Sequence, residues 1–407
     1  MKLEQEKLDL LCLYFPKFDR DVLAELLNSC DGSVQRTKAL VDGSEAVSQT
    51  KKRNSALYQS SIAEPLAIST AKRHRPLTSS AKVIRLHTPK QVQAHLYPFV
   101  SLHRAILPRE LSDEILRYLM GLKESITPNK FYIFDNYCTS SHGSGLMAPG
   151  EDDKQGDTVR NLIYNGKPPK IVGVYSDEMK QAAGRVADII NEKLIPLLPS
   201  LPFQNKERWG SNMCIVNYYE NISSHLDYHS DRLSHIGPHN YIASISLGAT
   251  REFRLRKNYG SKQIYSIVLP HNCLVIMHPG CQEEFKHCVN ALKSSIEQNP
   301  ISGKERYNLT FRFYPKSFVR HLPRCKCDLS MTLRRSYLTV ENRGKYFWSC
   351  ENKYQHKDCG TFHWANFNNL EGNYIAECDE DISIWTAEDD VEKNEWIAKQ
   401  SEDYPSI

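Results

Sequence analysis

Three histidines and two aspartates crowd into NYYENISSHLDYHSDRLSH, Asn217–His235, straight after a strand-like run. Imidazole and carboxylate groups are ligands for divalent metals. His229-Ser230-Asp231 places two such groups two residues apart. In an extended segment that spacing points both to one side. Two imidazoles and one carboxylate on one face of a metal, with the other positions open, form the donor set of non-haem iron(II) oxygenases. The third donor must come from a distant strand, and His287 in EEFKHCV, after the apolar run CLVIMHP, is the candidate. The same residues allow two other readings. A helical turn would pair His225 with His229 for zinc, and a plain loop would use these polar groups for hydrogen bonds.

A second pattern lies in RYNLTFRFY. Arg306, Asn308, Thr310 and Arg312 share one face of a strand, and Tyr307, Leu309, Phe311 and Phe313 share the other. A polar inward face suits a sheet that encloses a polar ligand. A dicarboxylate such as 2-oxoglutarate chelates iron through its keto-acid end, and its far carboxylate then fits an arginine fork. The competing reading is an edge strand with its charged face in water.

A third pattern is Cys325-x-Cys327, Cys350 and Cys359, a plausible four-thiolate zinc set. Tyr346, Phe347, Trp348, Phe362 and Trp364 crowd it, with Arg334, Arg335, Arg343 and Lys345 nearby. Aromatic rings beside cations make a sequence-tolerant platform for single-stranded nucleic acid. Phe347 and Phe362 are expected to pack the small core. Trp348 and Trp364 are expected to stay open, with Arg343 and Lys345 beside them to meet nucleic acid.

These groups need elements to hold them. The chain has 407 residues, 40% hydrophobic and 25% charged, with a formal net charge of +4. This is an ordinary globular composition that allows several domains. No signal peptide or membrane span is evident, and the twelve cysteines suggest a reducing compartment with a metal site rather than a stapled secreted domain. Residues 1–41 carry leucines at helical spacing and predict a small three-helix module. Residues 42–85 read as a basic, disordered linker with KKR at 51–53 and KRHR at 72–75, which would suit nuclear import. Residues 86–320 form the main domain, with helices at 108–123 and 176–195, the latter capped by Ser176. Glycine- and serine-rich loops are expected at 136–168, then short strands at 213–219, 241–248, 251–256, 263–270, 273–279 and 307–315. Several short strands preceded by helices predict a multi-domain α+β chain around a jelly roll. No Gly-rich phosphate loop of the usual spacing appears. Residues 321–370 hold the cysteine set. Residues 371–407 form an acidic tail, either disordered or able to screen the basic regions.

From about 210 to 315 the chain resembles the AlkB family of iron(II)- and 2-oxoglutarate-dependent dealkylases. The likeness rests on NYY, HSD, SISLGATREF, the histidine of FKHCV and RYNLTFR, in that order. The resemblance implies a double-stranded β-helix core and iron on His229, Asp231 and His287. It further implies 2-oxoglutarate on Arg306, Arg312, Asn217 and Tyr219, and oxidative dealkylation of DNA or RNA that releases aldehyde, succinate and carbon dioxide. One position departs from it. The DNA-repair members usually carry an acidic residue two positions past the metal aspartate, where this chain has Leu233. Base preference therefore does not carry over. A chromatin-protein hydroxylase or demethylase, or a non-catalytic adaptor, stays open.

CKC, NRGKYFWSC and CGTFHW resemble the GRF zinc finger, which implies zinc on the four cysteines and a single-stranded nucleic-acid partner. Tyr14-Phe15-Pro16 and Leu26-Leu27 resemble a CUE domain of the UBA-like class, which implies ubiquitin or a ubiquitylated protein as partner. No membrane partner is expected, and the nucleus is the expected location.

Overall fold

The computed structural model describes residues 2–15, 20, 23, 24, 27, 34, 37 and 38, then 83–133, 136–150, 162, 168–292, 297–355, 357–368 and 373–403. The chain divides into two compact units, Met1–Ser80 and Ala81–Ile407. Pro16, Leu26, residues 42–82 of the expected linker and its two basic clusters fall outside the described residues, while its last residues, 83–85, are not disordered but belong to a strand paired with 264–267. In the first unit a helix, Lys2–Tyr14, carries Leu8 and Leu11 on one face and buries them against Leu23 and Leu27. Among the described residues, no helix is long and apolar enough to cross a membrane.

The strands of the second unit are β1 (Val83–Leu86), β2 (Val100–Arg104), β3 (Pro128–Ile133), β4 (Asn136–Ala148), β5 (Ile171–Val174), β6 (Met213–Tyr219), β7 (Leu226–His229), β8 (Ile242–Gly248), β9 (Arg251–Lys257), β10 (Ile264–Leu269), β11 (Cys273–Met277), β12 (Phe285–Val289) and β13 (Arg306–Arg312). The larger sheet runs β2-β11-β8-β13-β6-β4-β3, with β5 on β4, and the smaller runs β1-β10-β9-β12-β7. The two sheets enclose an apolar core in which Met213, Ile242, Val275 and Met277 meet Phe253, Leu255 and Ile267. The opposite face of the larger sheet packs helices Arg109–Gly121 and Asp177–Asp188 through Ile115, Leu119, Met179 and Val186. Each such buried aliphatic side chain contributes roughly 1.5–3 kcal/mol of transfer free energy before entropy is counted. Ser176 caps the second helix by accepting from the Met179 N–H at 3.3 Å.

β13 is not an edge strand. It lies between β6 and β8, antiparallel to both. Tyr307, Leu309 and Phe311 pack toward the helices, so the alternate face, from Arg306 to Arg312, is buried toward the smaller sheet.

The expected loop at 136–168 is partly a strand. β4 spans Asn136–Ala148 and pairs with both β3 and β6. Its glycines answer a packing demand rather than a need to turn. A Cβ on Gly143 would stand 2.2 Å from the Ile126 carbonyl oxygen, and one on Gly145 2.3 Å from a Val172 methyl. Close approach of this kind selects glycine inside a strand.

Three further strands, β14 (Thr332–Arg335), β15 (Tyr346–Ser349) and β16 (Phe362–Trp364), form a small antiparallel sheet. Its apolar side continues the main core, with Trp348 against Phe318 and Phe367. The acidic segment packs rather than trailing free. Ile382 and Ala387 are buried, the Ser383 hydroxyl accepts from the Phe367 N–H at 2.8 Å, and Val391–Asp403 is helical.

Candidate metal and cosubstrate site

β7 and β12 are antiparallel neighbours, and their pairing sets His229 directly across from His287. Asp231 follows two residues later. Ring centroids of the two histidines are 4.3 Å apart. Asp231 Oδ1 lies 3.6 Å from His229 Nε2 and 4.0 Å from His287 Nε2, and one donor atom from each residue falls within 4.8 Å of the other two. Because β7 is extended, the helical His225–His229 pairing does not form. His229 donates from Nδ1 to the Asp227 carbonyl at 2.8 Å, which leaves Nε2 with its lone pair toward the cluster. Burial pushes His287 down to about 3, so its ring is neutral at ordinary pH. Burial pushes Asp231 up, but Arg312 at 2.7 Å and the two imidazoles more than offset this and hold it well below the usual carboxylate range. Two imidazoles and one ionised carboxylate converging in this way fit iron(II).

Arg306 lies deeper, 1% exposed. Its Nε donates to Ser246 Oγ at 2.8 Å and its Nη2 to Asn308 Oδ1 at 3.0 Å. Its Nη1 is buried without a hydrogen-bond partner. The guanidinium lies 5.0 Å from the Tyr219 ring centre. Its hydrogen-bond partners are neutral, so a buried cation here lacks a counter-charge. The carboxylate of a 2-oxoglutarate molecule fits that need. Asn217 stands opposite Asn308 on the same inward face.

Sequence reasoning missed two residues around this pocket. His142, in the supposed loop, stacks on Tyr219 with ring centres 5.5 Å apart and meets the His225 carbonyl through Nδ1 at 2.9 Å. Burial pushes it down to about 4. The Ser141 hydroxyl donates to the same carbonyl at 2.6 Å. Arg251, from the GATREF run, is fully buried and donates to the carbonyls of Asn221, Ser224 and Asn290, joining the loops before β7 and after β12. No spacing rule flags either residue, because their partners are distant backbone carbonyls. Leu233 is buried in the apolar core.

The family profile of the 2OG-Fe(II) oxygenase superfamily matches residues 100–312, which contain the whole cluster and both arginines. The chain belongs to the 2OG-Fe(II) oxygenase superfamily. Among curated relatives, alpha-ketoglutarate-dependent dioxygenase alkB homolog 3 of Rattus norvegicus is 32% identical over 158 residues, which cover 36% of this chain and 51% of the relative. The Homo sapiens protein of that name is 30% identical, covering 36% and 52%. The chain thus spans about half the length of the curated relatives it matches. Among solved structures, that of OsALKBH1 aligns with a TM-score of 0.39 at 19% identity, over 54% of this chain and 99% of that one, a likeness too loose to argue from.

This superfamily member has a second metal-capable cluster. Cys325, Cys327, Cys350 and Cys359 offer sulfurs that all lie within 4.8 Å of one another. Cys350 Sγ stands 3.7 Å from Cys325 Sγ and 4.0 Å from Cys327 Sγ. A tetrahedron of zinc–sulfur bonds of about 2.3 Å has edges of about 3.8 Å. The set fits zinc.

Around this cluster the expected exposure is reversed for Trp348 and Phe362. Trp348 is 0% exposed and donates from its indole to the Tyr374 carbonyl at 2.8 Å. It cannot stack on a base. Phe362 is 43% exposed. Along β15 the alternation puts Tyr346 and Trp348 inward and Phe347 outward, where it meets Phe362 and Trp364 at 5.3 and 6.2 Å between ring centres. Lys345 lies 5.4 Å from the Trp364 ring centre. Arg343 is also withdrawn. It is 4% exposed and pairs with Asp390 at 3.0 Å and Glu392 at 2.9 Å. The acidic segment therefore neutralises this arginine instead of leaving it for phosphate.

Proposed function

We propose that the chain is an iron(II)- and 2-oxoglutarate-dependent oxygenase that removes N-alkyl groups from bases in DNA or RNA of single-stranded character. The observation that carries this reading is Arg306, a buried guanidinium with neutral partners on the same inward face of β13 as Arg312, which pairs with Asp231 of the His-Asp-His cluster. His229, Asp231 and His287 would hold the iron. Arg306, with Arg312, Asn217 and Tyr219, would hold 2-oxoglutarate. When bound, these groups supply the oxidising chemistry, in which oxygen and 2-oxoglutarate give succinate and carbon dioxide and an N-alkyl carbon is hydroxylated and leaves as aldehyde.

The chain's own residues do the rest. Asp227 fixes the tautomer of His229, burial keeps His287 neutral, and Arg312 keeps Asp231 ionised. Ser141 and His142 tie β4 to the His225 carbonyl at the start of β7, and His142 stacks on Tyr219 of the cosubstrate face. A base held in a duplex would have to leave its stack to reach the cluster. Resemblance to the AlkB family and likeness to the alkB homolog 3 dioxygenases support the reaction type. The outward trio Phe347, Phe362 and Trp364, with Lys345, supports a single-stranded partner on a GRF-type zinc finger. The nuclear location and a ubiquitin-recruiting role for the first unit are supported by the basic clusters and the CUE-like motif alone.

The test incubates the full chain with iron(II), 2-oxoglutarate and methylated oligonucleotides, single- and double-stranded, with methylated histone peptides in parallel. Formaldehyde and succinate are expected from single strands, and neither from the His287→Ala variant. Release from peptides alone would move the activity to chromatin protein. Failure to bind iron would leave a binding adaptor.

A further inference from the structure

The segment that follows the metal cluster is held by the cysteine module at several points. Arg232, one residue past Asp231, forms an ion pair with Glu351, one residue past Cys350. Glu351 is buried and also accepts from the Thr332 hydroxyl of β14. Two residues further, Ser234 Oγ accepts from the Leu333 N–H of β14 at 2.9 Å. A second route approaches Asp231 from the other side. Its own N–H donates to Gln282 Oε1 at 2.7 Å. Gln282 sits in the short helix Cys281–Glu284, which leads directly into β12 and His287. Arg335 of β14 grips that helix. Its Nη2 pairs with Glu284 at 3.1 Å, with both side chains at most 3% exposed, and its Nη1 donates to the Glu283 carbonyl at 2.9 Å. The Tyr346 hydroxyl of β15 reaches Glu283 and His239 from the same side.

A loosely attached accessory module would meet the body through exposed, exchangeable contacts. Here the contacts are directional and mostly buried, two of them are ion pairs, those of Arg232 and Ser234 fall within one to three residues of Asp231, and those of Arg335 fall on the helix whose Gln282 accepts from the Asp231 N–H. A buried ion pair gives weak evidence for net stability, but it specifies geometry strongly, because a partner moved away leaves an uncompensated charge. Ligand orientation set from outside the donor atoms is a recognised determinant of metal affinity.

We propose that the four-cysteine module is a positioning element of the iron site, so that order at Cys325, Cys327, Cys350 and Cys359 sets how tightly His229, Asp231 and His287 take a divalent ion. Arg232, Glu351, Arg335 and Gln282 are positioning residues, since none of them offers a donor atom to that cluster. The inference rests on the oxygenase reading above.

Manganese(II) is the probe, because it prefers oxygen and nitrogen ligands over thiolates and so reports on the histidine–aspartate cluster. Its affinity for the full chain is measured by electron paramagnetic resonance with 2-oxoglutarate present, and zinc content by elemental analysis. Glu351→Gln and Gln282→Met are expected to weaken manganese binding by about 10- to 100-fold. The manganese spectrum should broaden or shift as Asp231 loses its fixed orientation, while zinc stays bound. Cys327→Ser is expected to lose zinc and weaken manganese binding together. Arg232→Gln combined with Glu351→Gln should cost no more than the worse single change, because one pair is being removed. Ile115→Ala, on the outer helix, serves as a stability control and should lower the unfolding midpoint without changing manganese affinity. Unchanged manganese affinity in folded Glu351→Gln and Cys327→Ser would overturn the coupling and leave the oxygenase reading standing. An equal loss in Ile115→Ala would also overturn it, by making the effect one of general stability. No manganese binding by the unaltered chain would overturn both.

Discussion

Replacing Arg306 by methionine should separate two quantities that usually move together, the stability of the protein and its affinity for a cosubstrate. The guanidinium is buried at 1% exposure, and its hydrogen-bond partners are Ser246 Oγ and Asn308 Oδ1, both neutral. Losing these bonds costs about 1 kcal/mol each. Asn308 Oδ1 keeps a donor in the Ser244 hydroxyl at 2.9 Å, which limits the loss. Against that, a buried cation without a counter-charge carries a desolvation penalty of several kcal/mol, and an apolar side chain of similar length removes it. The ligand-free variant should therefore be within about 2 kcal/mol of the parent in stability, in either direction. Affinity should respond very differently. Truncating one partner of a buried, hydrogen-bonded charge pair costs about 2–5 kcal/mol. At about 1.4 kcal/mol per factor of ten, 2-oxoglutarate binding should weaken by about 30- to several-thousand-fold. The assay is thermal unfolding with manganese(II), with and without 2-oxoglutarate, alongside titration calorimetry. The parent should gain stability from the ligand as mass action requires, and the variant should gain almost none. A variant that loses more than about 4 kcal/mol without ligand, yet keeps the ligand-induced shift, would mean that Arg306 serves the fold and not a carboxylate.

Four other outcomes follow from particular contacts. Burial pushes His278 and His142 down to about 4, so each is neutral when folded but takes up a proton near pH 6.5 when unfolded. Stability should thus be full above about pH 6.5 and fall as the pH drops toward 4, by up to about 1.4 kcal/mol per pH unit for each histidine, and His278→Asn should flatten that slope in denaturant titrations. Trp364→Ala or Phe362→Ala should weaken binding of a labelled single-stranded oligonucleotide by about 1–3 kcal/mol in fluorescence anisotropy. Trp348→Ala should instead destabilise the module by about 3–5 kcal/mol, seen as a lowered unfolding midpoint. Gly145→Ala drives a Cβ into Val172 and should loosen the β4–β5 pairing, read as faster amide exchange at Leu146 and Val174.

Much of the site could be read along the chain because its chemistry is local or periodic. His229 and Asp231 are two residues apart, and a strand's period of two puts them together wherever the strand goes. The same period separates Arg306, Asn308, Thr310 and Arg312 from Tyr307, Leu309 and Phe311. The four cysteines needed only their side-chain chemistry. Period alone does not say which face of a strand turns inward. On β13 that was decided by the flanking β6 and β8. On β15 it was decided by Phe318 and Phe367, which drew Trp348 into the core and left Phe347 outside with Phe362 and Trp364 of β16. Composition misled at β4, where glycine reflects the nearness of Ile126 and Val172, and at the acidic segment, whose charge meets Arg343. The partners of His142, Arg251, Gln282 and Arg335 lie from 27 to 83 residues away or are backbone carbonyls. Such pairings depend on where the chain returns in space, which no local spacing encodes.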